Sequence, residues 1–349
     1  MDAAVRKVID GDRWILGPAV ERFEADFAAY LGFGEVVGVG NGTDALVIAI
    51  CALELAPGTG VLVAANEGGY AATAARLAGL EPIAMDVEEL SMLPSVANAT
   101  AAMTEGVGAI VVTHLHGEAG DIQQLDAWRH ERGLALIEDC AQAAGSRGAA
   151  GHVGARADAA TFSFYPTKNL GTVGDAGAIA FAEPTYAQRA RALREYGWGE
   201  RFRVELDRGR NSRLDALHAS ILSARLPFLD ARNLERRAIS ARYRAALDGP
   251  LARVHGDPET TTAHHSVVVT ERRDDLARFL ESRTIGTAVH YPFLVTEMPG
   301  LVSSVPSGGV PVAASLRDRV LSLPCFPELR DEELAYVLNA IGEWNDTLA

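Results

Sequence analysis

Cysteine is scarce in this chain. Cys51, Cys140 and Cys325 are the only three in 349 residues and lie far apart. That excludes a disulfide framework and a cysteine-based metal cluster, and it suits a reducing, cytoplasmic compartment. Positive charge is short as well: 32 lysines and arginines face 46 acidic residues, a net charge of −14. No basic stripe is present that could displace phosphate counterions, so a general nucleic-acid binder is excluded. Long apolar runs are missing. "ALVIAICALELA" is too short to span a bilayer and stops at Pro57, and "MDAAVRKVIDGDRW" holds no signal-peptide core, so neither secretion nor a membrane is expected. Internal repeats and low-complexity segments are absent too. What remains, 48% hydrophobic and 22% charged residues, is the balance of an ordinary globular protein long enough for two domains.

Short apolar runs alternate with helical ones through the first half. "EVVGVG", "GTGVLVAA", "EPIAMDV", "VGAIVVTHL", "LALIEDC", "AATFSFY" and "GAIAFAE" read as strands. "NGTDALVIAICALELA", "GYAATAARLAG" and "DIQQLDAWRHERG" read as helices between them. Such alternation predicts an α/β fold with a mostly parallel sheet covered on both faces. From about Asn211 long helical segments take over, "RLDALHASILSARL" and "LDARNLERRAISARYRAAL", interrupted at Pro227. "HHSVVVT" and "RDDLARFLESRT" then give an α+β ending. The expected division is a large α/β domain over 1–235 and a smaller C-terminal α+β domain over 236–349.

Three strand ends carry chemistry. "VGVGNGTDAL" is a strand, a glycine turn and a helix start, where Gly42, Thr43 and the Asp44 amide form a seat for a phosphate. No Gly-Lys-Ser/Thr follows, so it is not a P-loop, and a plain helix cap is the rival reading. "LALIEDC" runs a strand into Glu138 and Asp139; a carboxylate there either caps a helix or holds a protonated ring nitrogen. "SFYPTKNLG" places Lys168 between Pro166 and Gly171, 29 residues after Asp139. An isolated lysine is ordinarily a surface residue. Together, a phosphate seat, a carboxylate and a lysine at three strand ends match the needs of pyridoxal 5'-phosphate (PLP): a Schiff-base amine, a partner for the pyridinium, and amides for the phosphate.

These segments resemble the DegT/DnrJ/EryC1/StrS aminotransferases, PLP enzymes of fold type I that mostly aminate nucleotide-linked keto-sugars. The likeness runs along nearly the whole chain, through "GPAVERFEADFAAYLG", "NGTDAL", "HLHGEAGDI", "IEDCAQAAGS", "SFYPTKNLG", "GRNSRLDALHASIL", "HYP" and "LPCFPELRDEEL". It implies that Lys168 is the Schiff-base lysine and proton shuttle, Asp139 the ring-nitrogen partner, and Gln142 the neighbour of the ring hydroxyl. Ser163, Thr43 and the Asp44 amide become phosphate ligands, and Tyr70 the ring stacked on the cofactor. Asn211 resembles the asparagine that reaches the phosphate of the neighbouring subunit, which implies a homodimer with shared sites. Arg213, His290 and Tyr291 are expected to bind substrate.

The chain departs from the family pattern at Gly69, His116, Ala176, Thr296 and Met298, so an unusual substrate pocket is expected beside an intact cofactor pocket. The reaction implied moves an amino group from L-glutamate to a nucleotide-linked keto-sugar, and "NSRLD" resembles the version found with 3-keto-sugars, here a 3-keto-6-deoxy-hexose. A 4-keto-sugar, a cyclitol or another ketone is the alternative acceptor on the same fold. A dehydratase of the family would carry histidine in place of Lys168, and a PLP-binding regulator without turnover is the alternative of another class.

Overall fold

The seven apolar runs form one seven-stranded sheet in a computed structural model. It describes residues 2–346 apart from 121, 150, 248–251, 302 and 303. The strands are β1 Glu35–Val39, β2 Gly60–Ala64, β3 Glu81–Met85, β4 Val107–Thr113, β5 Ala135–Asp139, β6 Ala159–Ser163 and β7 Gly177–Phe181. Their order across the sheet is β1-β7-β6-β5-β4-β2-β3. From β3 to β6 every pairing is parallel; β7 lies antiparallel between β6 and β1. Every residue of β2 and β7 is buried, because helices cover both faces and leave no room for the polar alternation of a one-sided sheet.

Among those helices, α1 (Asp2–Ile9) and α2 (Pro18–Leu31) precede the sheet, and α3 (Gly42–Ala52) follows β1. Next come α4 (Tyr70–Leu77), α5 (Val96–Ala102), α6 (Gln123–His130) and α7 (Pro184–Leu193). Helix α3 is apolar nearly all round, "GTDALVIAICA", as a helix buried within the core must be. Its start approaches the sheet edge where β7 begins. Gly177 faces both Val39 and Ser163 there, and a Cβ on it would stand 2.5 Å from the Asn41 carbonyl. Only glycine permits that contact.

After α8 (Ala216–Arg225) and a 3-10 turn at Leu226–Phe228, α9 runs unbroken over Leu229–Ala246. Pro227 fits in that turn, where a missing N–H does not interrupt a helix. Leu229 packs into the large core while Ile239 and Tyr243 pack into a second one, so the division expected near residue 235 falls inside α9. The second core lies against an antiparallel sheet of β8 (Arg253–Val254), β9 (Ser266–Val269) and β10 (Val320–Leu323). Helices α10 (Arg273–Glu281) and α12 (Asp331–Asp346) supply Leu276, Leu280 and Ile341 to it. Side chains of that kind contribute roughly 1.5–3 kcal/mol each on burial. Helix α11 (Pro311–Arg319) adds Leu316 to a cluster that also holds Ala64, Met92 and Val267, joining the two cores. Among the described residues no helix is long and apolar enough to cross a membrane.

Candidate active site

Parallel strands end on one edge of the sheet, and in open α/β sheets that edge is where ligands sit. Here a cavity of about 470 Å³ opens beside Thr113, Asp139 and Ser163, the last residues of β4, β5 and β6. Lys168 enters it from a loop that closes on itself. The Lys168 amide donates to the Tyr165 carbonyl at 2.8 Å, and the Thr172 amide to the Phe164 carbonyl at 2.8 Å. A Cβ on Gly171 would lie 2.6 Å from the Pro166 carbonyl oxygen. Pro166 and Gly171 therefore set a loop too tight for another residue at 171. Asn169 fastens it from behind: its amide donates to Asn233 Oδ1 at 2.7 Å and its carbonyl oxygen meets His264 Nδ1 at 2.8 Å.

Strand alternation separates the two acids of "EDC". Glu138 is held on the far face, 2.6 Å from the Gly154 amide and 2.7 Å from His114 Nε2. With Cys140 these residues form a buried cluster whose ligand atoms lie within 4.8 Å of one another. Asp139 faces the cavity, accepting the Ala141 amide at 3.0 Å. Burial pushes the Asp139 carboxyl up from its usual range, while the Ala141 amide and the Lys168 ammonium favour its charged form. Burial likewise lowers Lys168, against the pull of Asp139. Gln142 is oriented by its neighbours. Its Oε1 accepts the His116 amide at 2.7 Å, which turns its Nε2 toward Tyr291 Oη at 2.9 Å. His116 departs from the family pattern, yet its backbone, at φ 63°, delivers that amide.

The expected phosphate seat is the start of α3. First-turn amides lack intrahelical acceptors, and Gly42 and Thr43 line the cavity with Ser163. A Cβ on Gly42 would sit 2.7 Å from that of Ser163. The Asp44 amide is already taken by the Asn41 side chain at 2.8 Å, and the Asp44 carboxylate pairs with Arg210 at 3.1 Å; Asp44 stands outside the cavity lining. Tyr70, His290 and Tyr291 line the cavity. The two tyrosine rings meet edge to face at 6.1 Å over Gly68, where a Cβ would fall 2.6 Å from the Tyr70 ring. Asn211, exposed, and Arg213, half-buried, lie outside this chain's cavity.

Two of the departures touch each other. Gly69 adopts φ 81°, and a side chain there would meet Met298 Sδ at 2.8 Å, so methionine at 298 fills the space that glycine at 69 leaves. Ala176 is buried in the large core, and Thr296 lies in a 3-10 turn over Val295–Glu297. Sequence reasoning missed Glu67 and a histidine wall. Glu67 lines the cavity and accepts the Ala71 and Ala72 amides. Burial nevertheless pushes its carboxyl up to about 8. His265 stacks on His290 with ring centroids 3.9 Å apart, and its Nδ1 lies 3.3 Å from His116 Nδ1. The doublet "HH" at 264–265 was the available signal. So was the lysine count: Lys7 and Lys168 are the only two in the chain.

The DegT/DnrJ/EryC1/StrS aminotransferase family model matches residues 1–342. The chain belongs to that family. This transaminase is 37% identical over 350 residues to the dTDP-3-amino-3,4,6-trideoxy-alpha-D-glucose transaminase of Streptomyces venezuelae, a match covering 98% of this chain and 91% of the relative. It is 35% identical over 346 residues to the UDP-N-acetyl-3-dehydro-alpha-D-glucosamine 3-aminotransferase of Acidithiobacillus ferrooxidans, covering 97% and 91%. Among solved structures, S. venezuelae DesV in complex with a ketimine intermediate superposes with a TM-score of 0.93 at 38% identity, over 98% of this chain and 93% of that one. The enzyme is thus a PLP-dependent transaminase of the type I fold. Its residues fit the cofactor: Lys168 and Asp139 face one cavity, and the close approach of Gly42 to Ser163 shapes a cradle that a methyl group would fill.

Proposed function

We propose that this transaminase moves the amino group of L-glutamate to carbon 3 of a nucleotide-linked keto-sugar, a 3-keto-6-deoxy-hexose. The observation that carries the reading is the full-length similarity to relatives named for 3-amino-sugars, beside the "NSRLD" segment of this chain. PLP supplies the electron sink for charge that develops at the substrate carbon. Asp139 would face the ring nitrogen of PLP and favour its protonated form, and the Gly42 and Thr43 amides with the Ser163 hydroxyl would hold its phosphate. Lys168, its ammonium destabilised by burial, would anchor PLP and move the proton taken from the substrate carbon. Gln142, fixed by the His116 amide, holds Tyr291 at the rim facing the acceptor.

Two copies share their sites in this reading. Asn211 is exposed and outside its own chain's cavity, which suits a residue that completes the phosphate site of a second copy; Arg213 beside it meets that copy's substrate. A symmetric pair then exchanges the same residues in both directions. A heterodimer of Lys168→Ala and Asn211→Ala chains has one site with both lesions and one with neither, so about half the activity returns. No recovery in a verified heterodimer would refute sharing. The acceptor is tested by supplying purified enzyme and glutamate with nucleotide-linked 3-keto- and 4-keto-sugars. Turnover confined to 4-keto-sugars, or to free cyclitol ketones, would overturn the carbon-3 reading.

A further inference from the structure

The active-site cavity holds more acid than its one base can balance. Its lining carries a single lysine, Lys168, against three carboxyls, Glu67, Asp139 and Asp175. Asp175 is exposed and left to water. Asp139 has the pull of the Lys168 ammonium. Glu67 has no such partner: among the described residues no cation lies within ion-pair distance of its carboxyl. Glu67 is also the deeper of the two, 1% exposed against 4% for Asp139. Its Oε2 accepts the Ala71 amide at 3.0 Å and its Oε1 the Ala72 amide at 3.1 Å, in the first turn of α4. Each amide uses one lone pair, and every carboxyl oxygen has two, so either oxygen has room for a proton. Neutral amides supply no counter-charge, and a buried carboxylate without one is costly. Two acids facing one buried site also resist ionising together. One of them keeps a proton, and it is the one without the lysine.

We propose that Glu67 is a positioning residue of the cofactor site, keeping its own proton so that Asp139 carries the one buried negative charge of the cavity. A single charge matches the single positive charge that a protonated ring nitrogen brings; a second would repel the cofactor phosphate. The two amides serve this arrangement by pinning the carboxyl to the start of α4, where it cannot swing out to water and ionise. Asp139 on β5 and Tyr291 face Glu67, and Tyr70, Lys168, His265 and His290 complete the titratable lining around them. Burial holds Tyr291 in its phenol form and the two histidines neutral, so none of these cancels a charge on Glu67. Burial and the Asp139 charge together outweigh the two amides, and the Glu67 carboxyl rises to about 8. The inference rests on Asp139 as the partner of the ring nitrogen, and the two fail separately.

The test starts with apoprotein at about pH 6.5, where exposed carboxyls are ionised. Infrared difference spectra, wild type minus Glu67→Gln, are read in the C=O stretching region of protonated carboxyls. An acid band is expected, and its absence would overturn the inference. Among the described residues Glu118 is the other glutamate raised by burial. The band must therefore shift on 13C-glutamate labelling and persist in Glu118→Gln, two results that keep the test decisive if Glu67→Gln fails to fold. PLP affinity of the apoprotein is then measured by fluorescence quenching between about pH 7 and pH 9. Only the wild type gains a negative charge at residue 67 over that window, so the ratio of wild-type to Glu67→Gln dissociation constants should rise at least threefold. A ratio that stays constant with pH would leave Glu67 a helix cap and nothing more. The assignment of Asp139 fails on different ground, by wild-type kcat in Asp139→Asn with the Glu67 acid band still present.

Discussion

The cofactor wall of the active-site cavity and the wall facing it are built on different principles. On one side Thr43, Asp139 and Ser163 stand at a helix start and two strand ends, the latter two paired into the sheet. Charges there are opposed, Asp139 buried and Lys168 half-buried, with each favouring the ionised form of the other. On the other side His116, His265 and His290 stack and touch one another, and their imidazoles are all held below the usual range by burial and by neighbouring positive groups. Near neutral pH that wall is uncharged. One wall carries the opposed charges proposed to hold the cofactor; the other offers flat neutral rings, a surface whose substitution changes fit without breaking a charge pair.

Removing the charged wall should have the largest effect. Lys168→Ala is expected to abolish turnover and the visible band of the lysine-bound cofactor while far-UV circular dichroism stays native. Because only Lys7 shares its residue type, borohydride trapping followed by peptide mapping gives a clear result: label on Lys7 alone would end the assignment. Asp139→Asn keeps size but removes the charge. Losing a charge-assisted hydrogen bond costs about 1.5–3 kcal/mol, and about 1.4 kcal/mol is a factor of ten in rate, so at least a tenfold fall in kcat is expected. Wild-type kcat in that variant would reduce Asp139 to a turn former for the Ala141 amide.

A smaller effect is expected at Gly42. Its added Cβ would lie 2.7 Å from that of Ser163, so Gly42→Ala must widen the phosphate cradle, and PLP should be lost severalfold faster on dialysis. Retention equal to wild type would show that the cradle is not set by that contact. The smallest effect belongs to Glu67. Its folded carboxyl is raised from 4.5 to about 8 by burial, so between those values the folded apoprotein holds a proton that the unfolded chain releases. That contribution to stability is complete below pH 4.5 and is lost as pH rises through 8. Glu67→Gln should flatten the decline in urea midpoint over this window, and an unchanged slope would assign it to other groups.

The cofactor wall was legible because its determinants are local. "GNGTDAL", "LALIEDC" and "SFYPTKNLG" each carry strand, turn and functional residue within about ten positions, and all seven predicted strands are present. The Asp44 amide, expected to donate to the phosphate, donates here to the Asn41 side chain. The facing wall could not be read in the same way. His116, His265 and His290 are far apart in the chain, brought together only when β9 and the His290–Tyr291 segment dock against the large core. Glu67 gave no signal in the sequence, because nothing in "NEGGYAA" announces that its carboxylate folds back onto Ala71 and Ala72. The contact of Gly69 with Met298 spans more than 200 residues, so two departures that look independent along the chain are one packing solution in space.

Asn169 sits next to the reactive lysine and is buried among partners from distant parts of the chain. It bonds to Asn233, 64 residues away, to the Thr262 carbonyl, 93 away, and to His264, 95 away. Closing loops of that size costs entropy before any contact repays it. The lysine loop therefore gains its final shape late in folding, once α9 and the second core are seated. During refolding from denaturant, helical signal should return first and lysine-bound cofactor absorbance last. The colour of the enzyme is then a reporter of completed assembly of both cores.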